Sequence, residues 1–178
     1  AIEEVEYYPD ISCRQLKASI AKKLNLSIEQ IICGNGASEL ILAICCAVRP
    51  LKALLLSPCF SGYELALHAV KSTISFYPLK EKQGFELDKD ILGQIVREVP
   101  DIFFITNPNN PTGKLISKEL MKEIADTCSK LGTILVIDEC FIELTGKVNQ
   151  YSFISELYAY KNVVILRAFT KSFAIPGV

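Results

Sequence analysis

Four short polar segments carry residue types that could bind a small ligand or take part in catalysis. They are a glycine-rich turn at 34–38, a loop at 107–113 with the sequence Asn-Pro-Asn-Asn-Pro-Thr-Gly, the pair Asp138 and Glu139, and a segment at 167–171 that ends in Lys171. The prolines and glycine of the loop hold its backbone out of a helix, so that it presents amide side chains. The glycine-rich turn opens a helical segment, where backbone N–H groups and the helix dipole favour an anion.

Each segment taken alone also has an ordinary structural explanation. A glycine-rich turn before a helix is most often only a turn, Asp138 could cap the segment after it, and most lysines are simply solvated. The loop at 107–113 is more informative, because so specific a sequence rarely arises by chance. Three of the segments follow apolar runs, and open α/β sheets bind ligands beyond the carboxyl ends of their strands. We therefore expect the four segments to form one site.

The elements that must position these segments alternate along the chain. Five apolar runs are continuous rather than alternating, which is typical of strands buried on both faces: 53–56, 74–77, 102–105, 134–137 and 163–166. Amphipathic segments lie near 12–24, 38–48, 61–71, 88–98, 118–131 and 151–159. Ser27 with Gln30 has capping-box spacing, and Asp88 and Ser117 are placed like N-caps. The pattern predicts an α/β fold with a mainly parallel sheet and helices on both faces.

Composition excludes several classes of function. The formal net charge is −1 and no basic block is present, so we expect neither nucleic acid nor an anionic membrane as a partner. The longest apolar stretch, 40–48, is too short to cross a bilayer. Seven cysteines without a C-x-x-C pair predict reduced, buried thiols in the cytoplasm. With His68 as the one histidine, and most simply a packed or surface residue, we expect no metal site.

The motifs together resemble the class I/II aminotransferase superfamily, the fold-type-I enzymes that use pyridoxal 5′-phosphate. Within it they are similar to the branch that holds histidinol-phosphate aminotransferase and L-threonine-O-3-phosphate decarboxylase. The resemblance runs from about Tyr7 to the end of the chain, and its motifs lie at 36–39, 58–64, 107–113, 138–141 and 170–171. It implies the large, cofactor-binding domain of that fold over 1–178. We expect this domain to be incomplete, with the N-terminal arm and the C-terminal small domain outside this chain.

The resemblance also implies a role for each matching residue at the cofactor ring. Lys171 would be joined covalently to the cofactor aldehyde, and Asp138 would pair with the ring nitrogen and keep it protonated. A carboxylate at the end of a buried strand needs such a cationic partner to offset its desolvation. Asn110 would bond the phenolic oxygen of the ring, and Phe60 would stack on the ring face.

Other matching residues would hold the cofactor phosphate. They are Gly36, Ala37 and Ser38 at the helix start, together with Thr170. Tyr8 matches a tyrosine that, in relatives, reaches the cofactor of the partner subunit, which implies a homodimer.

Two departures from the family pattern bear on the reaction. Phe141 stands where family members commonly have a tyrosine that donates to the phenolic oxygen, and Ala168 stands where relatives often have a phosphate-binding serine or threonine. The segments at 60–64, 138–142 and 173–177 are, however, similar to threonine-phosphate decarboxylases. Histidinol-phosphate aminotransferases more often have tyrosine at both 60 and 141.

The resemblance thus favours decarboxylation of a small phosphorylated amino acid, L-threonine O-3-phosphate, in cobamide synthesis. The alternative is transamination, most simply of histidinol phosphate, or another class I/II aminotransferase reaction. A third interpretation is a regulator or binding module that has the aminotransferase fold. Such regulators carry a basic DNA-binding segment ahead of this fold, and no such segment is visible in the sequence.

Overall fold

The computed structural model describes residue 8 and residues 10–173. Pro9 of the motif at 8–10 and residues 174–177 of the motif at 173–177 lie outside the described residues. Within that part of the chain, five strands form one sheet in the order β2-β1-β3-β4-β5, and every neighbouring pair is parallel. The strands are β1 (Lys52–Ser57), β2 (Thr73–Pro78), β3 (Ile102–Thr106), β4 (Ile134–Asp138) and β5 (Val163–Leu166). The predicted parallel α/β sheet is confirmed.

Helices connect the strands and cover the sheet. They are α1 (Arg14–Leu24), α2 (Ala37–Val48), α3 (Gly62–Ala69), α4 (Asp90–Glu98), α5 (Lys118–Leu131), α6 (Val148–Tyr151) and α7 (Phe169–Ser172). Short 3-10 helices lie at Ile28–Gln30, Glu81–Gln83, Ile142–Thr145 and Ile154–Ala159. No helix in the described part of the chain is long and apolar enough to cross a membrane.

Two apolar cores lie on opposite faces of the sheet, because successive side chains of a strand point to opposite faces. On one face α4 and α5 pack against a set of strand residues that includes Leu54, Phe103 and Leu135. On the other face α2 and α3 pack against the alternate set, which includes Leu55 and Phe104. This burial on both sides explains why the strands are continuous apolar runs.

The helix starts agree with the sequence signals in part. Ser117 caps α5, since its hydroxyl accepts the N–H of Leu120 at 3.2 Å. Ser27 and Gln30 form the capping box, but around a 3-10 turn rather than an α-helix. Asp88 lies one residue outside the N-cap of α4, and its carboxylate accepts the N–H of Asp90 at 3.1 Å.

Two expectations were wrong in detail. The amphipathic segment at 151–159 is not one α-helix. α6 ends at Tyr151 because Ser152 and Phe153 donate to Glu139, and the chain then forms a 3-10 helix over Ile154–Ala159. Only three of the seven free cysteines are buried. On α2, Cys45 faces the core, whereas Cys46 lies one residue further round the helix and is exposed.

Candidate active site

The carboxyl ends of three neighbouring strands, β3, β4 and β5, bring the predicted site together. Thr106, the last residue of β3, lies in register with Asp138, the last residue of β4, and Asp138 in turn lies opposite Leu166, the last residue of β5. The loop at 107–113 and the segment with Lys171 follow directly. Three of the four polar segments therefore meet at one edge of the sheet, where open α/β sheets bind ligands.

The carboxylate of Asp138 is the most buried acidic group at this edge apart from Glu139. It is 5% exposed, and two neutral groups donate to it: the Tyr63 hydroxyl to Oδ2 at 2.6 Å and the Cys140 N–H to Oδ1 at 2.9 Å. Among the described residues no ion pair involves Asp138. A buried carboxylate with two neutral donors still gains from a cationic partner, so this environment suits a protonated ring nitrogen.

Tyr63 connects Asp138 to the aromatic wall of the site. Its ring stacks on Phe104 with 5.0 Å between centroids and meets Phe60 edge-on at 5.5 Å. Burial raises the pKa of Tyr63 far above that of a free phenol, and the charge of Asp138 raises it further. The hydroxyl is therefore protonated at every physiological pH and acts as a donor to Asp138.

Phe60 packs over Gly62, the first residue of α3. A β-carbon on Gly62 would lie 2.3 Å from Cε1 of the Phe60 ring, so only glycine leaves room for the ring in this position. Phe60 itself is half-buried and borders the core that contains Tyr63. The ring predicted to stack on the cofactor thus lies beside the donor to Asp138.

The asparagines of the loop at 107–113 have different tasks. Asn107 fastens the loop, since its Oδ1 accepts the N–H of Ile116 at 3.0 Å and its Nδ2 donates to the carbonyl of Tyr151 at 3.2 Å. Asn109 closes the turn by accepting from the hydroxyl of Thr112 at 2.9 Å. No hydrogen bond joins the Asn110 side chain to a described residue, and its role toward the cofactor stays a prediction.

Asn110 and Phe141 line one cleft of about 280 Å³ between the loop and the turn after β4, and the lining residues are Pro108, Asn109, Asn110, Pro111, Gly113, Phe141, Leu144 and Thr145. The cleft therefore joins two of the residues that were assigned to the cofactor.

Lys171 lies in α7 with its Nζ 5.6 Å from the centroid of the Phe141 ring. This distance places a cation over an aromatic face, and it brings the amine to the same wall of the site as Asn110. Burial and the charge of Asp138 raise the pKa of the Cys140 thiol, whereas the charges of Lys171 and Arg167 act in the opposite direction. Both cations thus lie near the end of β4.

Glu139 and Arg167 form a second polar connection beneath the site. Glu139 is fully buried and accepts from the Arg167 guanidinium at 2.8 Å, the Ser152 hydroxyl at 2.8 Å and the Phe153 N–H at 2.6 Å. Burial raises the pKa of Glu139 despite these donors. Arg167 also pairs with Glu143 on its outer side. The connection ties the residue after Asp138 to the segment that carries Lys171.

The predicted phosphate site lies at the start of α2. Gly36 is the N-cap with φ 92°, a left-handed conformation that favours glycine, and Ala37 begins the helix. Ala37 borders the same core as Phe60 and Phe141, which places this helix start on the same side of the sheet as the cofactor wall.

The structure leaves some assignments without contacts. No hydrogen bond joins Ser38 or Thr170 to another described residue through their side chains, so their phosphate roles stay predictions. Tyr8 is 98% exposed, which agrees with a residue meant for a partner subunit but does not test it.

Four residues of the site were not assigned roles from the sequence. Tyr63 lies within the motif at 58–64, and Glu139 and Arg167 are charged residues next to buried strands, which is an unusual position for an unpaired charge. Those positions indicate that both charges need a partner. Nothing in the sequence signals Thr106, a hydroxyl at the end of an apolar run.

Comparison with known proteins decides the family. The model of aminotransferase class I and II matches residues 1–178. The chain belongs to this family. The family uses pyridoxal 5′-phosphate, and the parallel sheet matches that of fold-type-I aminotransferases.

Individual members of the aminotransferase family differ in reaction. The chain is 36% identical to the adenosylcobalamin biosynthesis bifunctional protein CobDQ of Leptospira interrogans, with 99% of this chain and 20% of that protein covered. It is 33% identical to the threonine-phosphate decarboxylase of Salmonella typhimurium, with 98% and 47% covered. The crystal structure of histidinol-phosphate aminotransferase from Clostridium acetobutylicum superposes with a TM-score of 0.86 at 33% identity, with 99% and 51% covered. The chain spans about half the length of these last two proteins.

Proposed function

We propose that the complete gene product decarboxylates L-threonine O-3-phosphate with pyridoxal 5′-phosphate as cofactor. The observation that carries this proposal is the pair of phenylalanines at the cofactor wall. Phe60 meets Tyr63, and Phe141 lies beside Lys171, at two positions where histidinol-phosphate aminotransferases more often have tyrosine. The similarity to a threonine-phosphate decarboxylase and to an adenosylcobalamin biosynthesis protein supports the same reaction and a place in cobamide synthesis.

The residues present fit the cofactor. Lys171 would hold it covalently, Asp138 would hold the proton on its ring nitrogen, Asn110 would bond its phenolic oxygen, and Phe60 would cover one ring face. The helix start at Gly36, Ala37 and Ser38, with Thr170, would receive its phosphate. When bound, the cofactor supplies an electron-withdrawing ring that stabilises negative charge at the α-carbon of an amino acid.

The chain's own residues account for the remaining chemistry. Decarboxylation breaks the bond between the α-carbon and the carboxyl carbon, releases carbon dioxide, and leaves the α-carbon in need of a proton. Lys171 Nζ would deliver that proton, and its position over the Phe141 ring, with its charge acting on the Cys140 thiol, supports this role. The Asp138 carboxylate is 5% exposed, and electrostatic stabilisation by such a group is stronger away from bulk water.

Transamination of histidinol phosphate is the second candidate. Its support is the crystal structure from Clostridium acetobutylicum, which matches this chain at least as well in sequence as the Salmonella decarboxylase does. The two reactions differ in which bond at the α-carbon is broken, and the groups that orient the substrate choose between them.

An assay of the complete gene product separates the two candidates. Incubation with L-threonine O-3-phosphate should release carbon dioxide without consuming 2-oxoglutarate. Consumption of 2-oxoglutarate with histidinol phosphate, and no carbon dioxide from threonine phosphate, would establish the aminotransferase instead.

We also propose that the protein acts as a homodimer in the cytoplasm. The dimer rests on Tyr8, which matches a residue of the partner's site in relatives and is fully available on the surface. The cytoplasm rests on the seven free thiols, four of which are exposed or half-buried, because such thiols persist in a reducing compartment.

A further inference from the structure

Asp138 is held from two sides by donors of different kinds. The Cys140 N–H is a backbone donor on the same turn, and it fixes Oδ1 at 2.9 Å. The Tyr63 hydroxyl comes from another helix and fixes Oδ2 at 2.6 Å. Among the described residues, no side-chain O–H or N–H other than the Tyr63 hydroxyl donates to Asp138. The orientation of the carboxylate plane therefore depends on Tyr63.

The hydroxyl of Tyr63 has its own fixed direction. Its oxygen lies 2.6 Å from Asp138 Oδ2 and 2.9 Å from Thr106 Oγ1. An ionised carboxylate only accepts, so the phenol proton points to Asp138 and the Thr106 hydroxyl donates to the phenol oxygen. The result is a buried chain of donors from Thr106 through Tyr63 to Asp138, in which each bond polarises the next.

A donor to a carboxylate stabilises its charged form relative to its protonated form. If Asp138 shares a proton with a ring nitrogen, a stabilised carboxylate leaves that proton on the nitrogen. Without the donor, part of the proton population moves to the carboxylate, and the ring loses positive charge.

We propose that Tyr63 is a positioning residue that keeps Asp138 ionised and correctly oriented, so that the proton of the pair stays on the cofactor ring nitrogen. The proposal rests on the proposed function of Asp138 as the partner of that nitrogen. Tyr63 does not touch the reacting atoms in this account, since it acts through Asp138.

The test uses the complete gene product loaded with pyridoxal 5′-phosphate that carries ¹⁵N in the ring. The ¹⁵N chemical shift of the ring nitrogen reports directly whether that nitrogen is protonated. Tyr63→Phe retains the ring that packs on Phe104 and Phe60 and removes only the hydroxyl. Tyr77→Phe is the matched control, because it removes a phenol bond of 2.8 Å to Asp88, away from the site.

We expect the wild type and Tyr77→Phe to give the ¹⁵N chemical shift of a protonated ring nitrogen, and Asp138→Asn to give that of an unprotonated one. The chemical shift of Tyr63→Phe should lie between these two values. The dissociation constant of the cofactor should be about tenfold higher in Tyr63→Phe than in the wild type, which is the scale of one hydrogen bond to a charged group. In the Asp138→Asn background the same substitution should change the dissociation constant by less than about twofold, because Tyr63 then has no charge to hold.

The outcomes separate this inference from the proposed function. A protonated position in Asp138→Asn would overturn the role of Asp138 and with it that of Tyr63. An unprotonated position in Asp138→Asn together with a wild-type position in Tyr63→Phe would overturn the role of Tyr63 alone. Should Tyr63→Phe fail to fold, Thr106→Val removes the first donor of the chain without changing the shape of the side chain. It should move the resonance in the same direction by a smaller amount, and a wild-type resonance in that variant would contradict the proposal.

Discussion

The guanidinium of Arg167 lies 2.8 Å from the buried carboxylate of Glu139 and joins the ends of two neighbouring strands. Glu139 directly follows Asp138, and Arg167 precedes Lys171 by four residues. The two residues proposed to hold opposite parts of the cofactor are therefore linked beneath the site by one ion pair. Breaking that pair should disturb the fold and the relative position of Asp138 and Lys171 together.

Arg167→Met should lower the stability of the protein by about 3 kcal/mol at neutral pH, because it leaves a buried carboxylate without its cation. Calorimetric melting measures the loss. Lys122→Met is the control, since it removes the more exposed ion pair with Glu156 and should cost less than about 1 kcal/mol. Equal effects of the two substitutions would show that the pair with Glu139 has no special importance.

The loss in Arg167→Met should depend on pH. Burial raises the folded-state pKa of Glu139 above its ordinary value of 4.5. The contribution of Glu139 to stability is therefore full below that ordinary value and falls as the pH rises through the folded-state pKa. Removal of Arg167 raises the folded-state pKa further, so the variant should lose less melting temperature at about pH 5.5 than at about pH 7.5. A loss that does not change between these two pH values would contradict the assignment.

Gly62→Ala should displace the Phe60 ring and weaken cofactor binding three- to tenfold, which is about the contribution of one aromatic stacking contact. The reason is the distance of 2.3 Å between a β-carbon at Gly62 and the Phe60 ring. Gly93→Ala is the control, because its β-carbon would meet only Arg97 at 3.6 Å. It should stabilise α4 by about 1 kcal/mol and leave cofactor binding unchanged. Fluorescence titration with the cofactor measures both, and wild-type affinity in Gly62→Ala would exclude Phe60 as the stacking residue.

The strands and the fold class were predictable from the sequence, because burial on both faces leaves a plain signal of continuous apolar runs. The run at 163–166 matches β5, and the other four runs differ from their strands by at most one residue at either end. The link between Tyr63 and Asp138 was not predictable, since 75 residues separate them and only the order of the strands brings α3 over the end of β4. The prediction of a helical segment at 151–159 was wrong, because the apolar pattern carries no information about the hydrogen bonds that Ser152 and Phe153 donate to Glu139.

Asp138→Asn should leave the fold intact and reduce turnover by a factor of 100 to 1,000, about 3–4 kcal/mol of transition-state stabilisation. The single amide oxygen can still accept from either Tyr63 or Cys140, but a neutral amide cannot hold a proton on a ring nitrogen. Asp126→Asn is the control, because Asp126 also accepts from a phenol, that of Tyr160 at 2.8 Å, on the surface. Steady-state kinetics on purified variants test this, and near-normal turnover of Asp138→Asn would remove it from the site.

Mixing Tyr8→Phe with Lys171→Ala should restore activity if each site is completed by the partner subunit. A mixed dimer then contains one site with both substitutions and one site with neither. Activity should rise above that of either variant alone when the subunits exchange. A mixture that is no more active than the sum of its parts would indicate that Tyr8 serves its own subunit or none.

The central claim is that Lys171 carries the cofactor, and borohydride reduction followed by peptide mapping tests it most directly. Reduction of the complete gene product loaded with pyridoxal 5′-phosphate should fix one phosphopyridoxyl group on the peptide that contains Lys171. The Lys171→Ala variant, treated in the same way, should give no labelled peptide. A stable label on any other lysine of the wild-type protein would contradict the account, since the positions of Asp138, Asn110 and Phe141 have meaning only around Lys171.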